Sequence, residues 1–495
     1  MPGDPAPGEM ARLYHRLSSY TYWPGDGLPP PADHPLVLQD FVSMVPERLP
    51  PPCKVYPSRL PTIELPRDWP SLEVTATTVL AGRSIVPPAA VDVAGLARML
   101  HLSAGVVRVR AAKPPYTRPW LFRAAGSAGG RFPLEVYVSA RGVDGLPDGL
   151  HWYDPIGHAL VLVGAAAEGE FTALIVTGIP WRTGWKYAER GYRHIYWDAG
   201  SMLAQTLALA EAGGYSPRLW TRFPDDAVSS LVGADGVHEF PLALVSLGDG
   251  KPAIRPHGAA HAGSVGEAPT EFPLITLAQH AGDLDHLGDP WPAAQPIPGE
   301  VPGSDHLETV ILRRGSARRM DGDASVARDV FEFSMSAALR GSTVPHYVAV
   351  HAVDGLPPGI YRWPDLADPI RRGPVRDELL SVCWDQDLGR DAAFVVMSAI
   401  DLDTIDDRRY REAQLDGGIV EGRLHLAAYA LGIGATGMSF LDDEIEGLLG
   451  APDAALLFTC VGVPTYAGKP GGRPGAPVPI ITPASGDTPR APGPR

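Results

Sequence analysis

Two stretches of this chain are near-copies of each other, and a copied stretch must fold into the same local structure twice. Val143-Asp-Gly-Leu-Pro-Asp-Gly149 returns as Val353-Asp-Gly-Leu-Pro-Pro-Gly359. A longer block, Arg190 to Ala234, returns from Arg408 to Ala451. Within it Tyr192, Asp198, Gly200, Ala212 and Gly214 meet Tyr410, Asp416, Gly418, Ala430 and Gly432. A shared order of signals over roughly 200 residues is too long for a solenoid repeat and fits a duplicated domain. The copies are unequal. Each keeps polar and glycine features that the other lacks, as expected of two half-sites facing one pocket.

At 495 residues the chain has room for two or three cores. A formal net charge of −15 leaves no basic surplus for phosphate backbones, which argues against a nucleic-acid binder. The three cysteines, Cys53, Cys383 and Cys460, are far apart and in no metal-ligand spacing. No apolar run approaches the ~18 residues of a membrane span, and the N-terminus lacks the regions of a signal peptide. The expectation is a cytoplasmic protein without a membrane partner or a metal.

Residues 1–70 read as a Pro-rich arm laid across the first domain, with a short helix near Arg12–Tyr20. Residues 71–250 form the first domain: a helix over Val91–Leu102, strands over 132–139, 159–163, 171–178 and 240–247, and a buried helix over Asp198–Ala212. Residues 251–304 have no sustained period and read as a Gly/Pro-rich linker, whose His257 and His261 are not expected to bind metal. Residues 305–468 form the second domain, and 469–495 a disordered or strap-like tail. Strands mixed with a long central helix imply an α+β fold.

Four segments carry candidate chemistry. Arg314, Ser316 and Arg318 alternate, so two guanidinium groups and a hydroxyl can converge on one phosphate. The first copy has only Arg83 and Ser84 there. Gly432-Ile-Gly-Ala-Thr-Gly437 spells a dinucleotide fingerprint in the wrong context, closing a helix instead of opening one. It reads as a turn into a strand at Met438–Phe440, with bare backbone able to approach a flat ligand. Ser127-Ala-Gly-Gly-Arg-Phe-Pro-Leu-Glu135 is a glycine turn followed by a strand, and Gly341–Pro345 is its decayed counterpart. Lys186 and Tyr187 are adjacent beside an apolar helix, where burial would tune them as an acid/base pair.

Together these segments resemble the flavin-dependent nitroreductase fold, and within it the thiazoline/oxazoline (azoline) dehydrogenase branch. The family pattern R-x-S-x-R falls on Arg314, Ser316 and Arg318, and implies an FMN phosphate site. The segment S-x-G-x-x-x-P-L-E falls on Ser127, Gly129, Pro133, Leu134 and Glu135, so Ser127, Ala128 and Gly129 would also border FMN. Gly434, Ala435, Thr436 and Gly437 resemble the segment near the isoalloxazine ring. Lys186 and Tyr187 match the branch's catalytic pair. The resemblance implies tandem nitroreductase-like domains forming a pseudo-dimer, each a mainly antiparallel sheet packed with helices. One FMN site would join the first copy's loop to the second copy's phosphate grip, and the site at Arg83 and 341–345 would be empty. The implied reaction is dehydrogenation of an azoline ring in a peptide or carrier-bound substrate, with O2 as electron acceptor and a cyclodehydratase complex as partner. The alternatives are another nitroreductase-like flavin reductase or desaturase, or a non-catalytic scaffold.

Overall fold

The computed structural model describes residues 6–24 and 28–480. In chain order the strands of the first half are β1 (Thr62–Glu64), β2 (Val106–Arg110), β3 (Trp120–Arg123), β4 (Leu134–Ala140), β5 (Gly149–Asp154), β6 (Ala159–Gly164), β7 (Ala173–Gly178), β8 (Pro217–Trp220) and β9 (Phe240–Leu247). The second half supplies β10 (His346–Val350), β11 (Gly359–Arg362), β12 (Arg371–Arg372), β13 (Phe394–Ile400), β14 (Gly434–Met438) and β15 (Ala454–Gly462), and the tail adds β16 (Val478–Pro479).

Two antiparallel sheets result, one ordered β1-β6-β5-β4-β7-β9-β8 and the other β12-β11-β10-β13-β15-β14. With β1 set aside and strands renumbered within each sheet, both sheets read 3-2-1-4-6-5. The central strands are buried along their whole length, because helices cover the faces that water would otherwise meet. Helices on antiparallel sheets make the fold α+β.

Two long helices, Gly191–Ala212 and Asp407–Ala430, lie against each other between the sheets. Glycine sets how closely they approach. A Cβ on Gly200 would lie 2.4 Å from the Leu415 carbonyl oxygen, and one on Gly418 2.5 Å from that of Trp197. The largest apolar core accordingly runs through both halves, with Ile195 and Leu203 from one and Leu415 and Ile419 from the other. The first of these helices begins at Gly191, ahead of the expected Asp198. Its opening run, Tyr192 to Trp197, is buried on every side, so it carries no polar periodicity to read.

The arm and the linker depart from their sequence reading. The arm touches both halves: Tyr14 meets the rings of Tyr192 and Tyr410, the Ala11 N–H donates to Asp407, and β1 extends the first sheet beside β6. The linker contains a helix, Pro273–His280, whose Leu274 and Ile275 are buried. The described part of the tail runs beside the first half, with β16 parallel to β2 in a small sheet β16-β2-β3. Residues 481–495 lie outside the described residues. No helix among the described residues is long and apolar enough to cross a membrane.

Candidate functional site

The glycine turn before β4 is pinned to the first long helix. The Ser127 hydroxyl and the Ala128 N–H both donate to the Asp198 carboxylate, and the Phe132 N–H donates to Ser127 Oγ. Burial raises the Asp198 pKa to about 8 against these two hydrogen bonds, with Glu421 adding to the rise. Gly129 sits at φ 58°, and a Cβ there would lie 2.7 Å from the Tyr187 hydroxyl and 2.9 Å from Lys186 Nζ. The loop thus requires glycine twice over, for its backbone angle and for its close approach to this pair.

Lys186 and Tyr187 end the helix Pro180–Tyr187. Glu135, the last residue of the Pro133-Leu134-Glu135 run, is buried and pairs with Arg182 on that helix. It also accepts from the Lys54 N–H and Trp152 Nε1, so it fixes the helix against β4 and thereby aims Lys186. Lys186 Nζ lies 4.9 Å from the centre of the Tyr187 ring. Burial, then Arg131 and Arg318, lower the Lys186 pKa, and no carboxylate pairs with it among the described residues. Burial raises the Tyr187 pKa, which keeps the phenol protonated. The Tyr187 ring also stacks on His194, with ring centres 4.1 Å apart. His194 is buried with both ring nitrogens unpartnered, and its pKa is held far down by burial.

The second half contributes Arg314, which reaches across to donate to the Ala124 carbonyl at 2.6 Å. Its Nη1 lies near Gly126, and its buried Nε has no partner. Ser316 and Arg318 are exposed, and Arg318 carries no ion-pair partner among the described residues. The segment is held to β14 by the Ala317 N–H, which donates to the Ala435 carbonyl. Gly434 to Gly437 therefore lie within β14 itself, not in a turn before a strand at Met438–Phe440. The turn is one residue pair earlier, at Gly432, with φ 80°. Gly437 abuts Glu421, which also accepts from Ser201 of the first long helix.

All four sequence-derived segments thus meet along one seam between the halves. Sequence reading missed Asp198, Glu421, His194 and Arg131. The first had a signal, since Asp198 and Asp416 occupy the same place in the repeat. His257, by contrast, lies beside Glu168 on the surface, and no group of three metal-ligating side chains occurs among the described residues.

The second half repeats the pinned loop. Thr343 donates its N–H and its hydroxyl to Asp416. Here, however, residues 291–299 cross the loop. Trp291 Nε1 donates to the Gly341 carbonyl, Arg340 to that of Ala294 and Arg83 to that of Gly299, and Ile297 is buried beneath.

No family model matches the chain. A candidate nitroreductase of Methanocaldococcus jannaschii is 28% identical over 144 residues, spanning 26% of this chain and 70% of the relative. The crystal structure of a candidate nitroreductase from Anabaena variabilis superposes with a TM-score of 0.69 at 24% identity, covering 92% of this chain and 99% of that one. The chain has the nitroreductase fold.

Proposed function

We propose that the protein is an FMN-dependent oxidoreductase that dehydrogenates azoline rings, with its single productive site on the seam between the halves. One observation carries the reading. The loop at Gly129 packs on Lys186 and Tyr187 from one half while Arg314 from the other half reaches the start of the same loop.

The residues at the seam fit a flavin phosphate. Arg314 has an orphaned buried Nε, and Ser316 and Arg318 stand exposed beside it without acidic partners among the described residues. A phosphate dianion would supply the acceptors these donors lack. Gly434 to Gly437 and the 127–129 loop would border the ring system with little more than backbone. The bound flavin would supply two-electron acceptor chemistry.

The protein's own part is proton removal and orientation. An azoline α-hydrogen is acidified by the adjacent carbonyl and imine, so a base of modest strength suffices. Lys186 fits that role, because burial and the nearby Arg131 and Arg318 lower its pKa and so favour the neutral amine more than in a free lysine. Tyr187 stays protonated, so it serves as a hydrogen-bond donor and not as the base. His194 and Gly129 clamp the phenol from two sides. Both the loop and the helix are rigidly tied, through Asp198 and Glu135, which preorganises the pair. O2 as final acceptor and a cyclodehydratase partner belong to the same proposal.

The test is to incubate flavin-loaded protein with a thiazoline-containing peptide and follow loss of two hydrogens by mass spectrometry. Azole formation that disappears in Lys186→Ala supports the reading. Flavin retention without azole formation from thiazoline or oxazoline peptides would redirect it to another desaturation.

A further inference from the structure

We infer that the pocket beside the Gly129 loop is a carboxylate-recognition site, with Arg131 as the residue that determines this specificity. As a statement about substrate the inference rests on the oxidoreductase reading above, whereas the anion site rests on its own contacts.

The pocket lies between the arm and β3, and adjoins the loop at Gly130. Its walls include Arg118, Arg123, Arg131 and Arg182, with Trp120 and Phe132, and among the described residues no aspartate or glutamate lines it. In a chain with a formal charge of −15, four arginines around one acid-free pocket are a local inversion of charge. Three of the four are already engaged. Arg118 donates to the carbonyls of Leu49 and Pro50, Arg123 to those of Leu134 and Pro52, and Arg182 to that of Pro51 while pairing with Glu135.

Arg131 is the exception. It is nine-tenths buried, its guanidinium makes no hydrogen bond or ion pair among the described residues, and its Nε is sealed from solvent. It lies between two indoles, with its central carbon 4.6 Å from the Trp120 ring and 4.8 Å from that of Trp185. Those ring contacts use none of its N–H donors in hydrogen bonds and leave the guanidinium fork without an acceptor. A planar carboxylate matches such a fork in two parallel bonds, better than a point charge would. Desolvation lowers the Arg131 pKa to about 10, with Tyr187 and Tyr116 rather than any carboxylate as the groups that oppose it. A buried cation without a counter-ion is costly, and it is explained if the ligand brings the counter-ion. The flavin cannot supply it, because FMN carries no carboxylate and its phosphate is proposed to lie at Arg314, Ser316 and Arg318. Its source is a chain terminus or an acidic side chain of a peptide that also presents an apolar group to Trp120 and Phe132.

The experiment uses the full flavin-loaded chain and three probes: N-acetyl-phenylalanine, its amide, and N-acetyl-aspartyl-phenylalanine amide. Binding is followed by tryptophan fluorescence, which Trp120 and Trp185 report directly, and by the visible flavin spectrum. The acid is expected to bind about tenfold or more tightly than its amide, and Arg131→Met to erase that preference. Arg131→Lys keeps charge and packing bulk, and is expected to restore part of it, which separates recognition from misfolding. Tight binding of the aspartyl probe assigns the site to acidic side chains, and its failure beside a tight free acid assigns it to chain termini. Equal or absent binding of acid and amide, or a preference that survives in Arg131→Met, overturns the inference. A preference for acid in a protein that holds no flavin leaves the anion site standing and removes the oxidoreductase reading. Retained flavin without the preference does the reverse.

Discussion

The two pinned loops use one device to different ends. In the first half Ser127 and Ala128 donate to Asp198, and in the second Thr343 donates twice to Asp416. The first loop then opens on Lys186, Tyr187 and the arginine grip of the other half. The second is crossed by residues 291–299, whose carbonyls take the donors of Arg83 and Arg340. The anchor has been kept in both places, and the room beside it in one. We propose that the halves arose by duplication, and that the crossing strap converted the second half-site into packing. The difference teaches that a preserved buried carboxylate marks a scaffold, while unpaired donors beside it mark a site.

The largest expected effect is on chemistry. Lys186→Ala should lower azoline turnover by about 10²–10⁴-fold, measured as single-turnover flavin reduction, with flavin content unchanged. An unaltered rate would remove the asymmetry in catalysis. Next is the strap: Ile297→Ala deletes a buried side chain and should cost about 2–5 kcal/mol in chemical denaturation, without lowering flavin content. A smaller cost is expected at the helix crossing. Gly200→Ala places a methyl against the Leu415 carbonyl, and should cost about 1–3 kcal/mol as the helices part.

A subtler test concerns Asp198. Its carboxyl pKa is about 8 in the folded protein, against an ordinary value of 3.8, so the folded state holds a proton that the unfolded chain releases. The corresponding stability is complete below about pH 4 and is lost as pH rises through 8. Denaturation midpoints across that window should fall with pH, and Asp198→Asn should flatten the slope. A slope that persists in the variant would assign it to other groups.

Strands such as β4 and β9 were legible in the sequence because they are bounded by Gly and Pro, whereas β5 and β8 were not read. The helix Pro273–His280 was missed: Pro at its first position and apolar residues at 272, 274, 275 and 278 were a signal, but the surrounding Gly/Pro composition hid it. The four candidate segments could be named because each pairs unusual residue types at close spacing. The partners that position them could not. Asp198 and Glu421 are single carboxylates within apolar stretches, and their meaning depends on which distant loop they meet; Glu135 stood in its motif, but its pairing with Arg182 did not. Arg131 was similarly invisible, since nothing local says that two tryptophans flank it.

The account's central claim is one productive site per chain, built from both halves. Released flavin per chain tests it most directly, in the reconstituted protein and in its Arg314→Ala and Arg83→Ala variants. The account predicts one FMN per chain, lost in the first variant and kept in the second. Two flavins per chain, or loss on Arg83→Ala instead of Arg314→Ala, would contradict it.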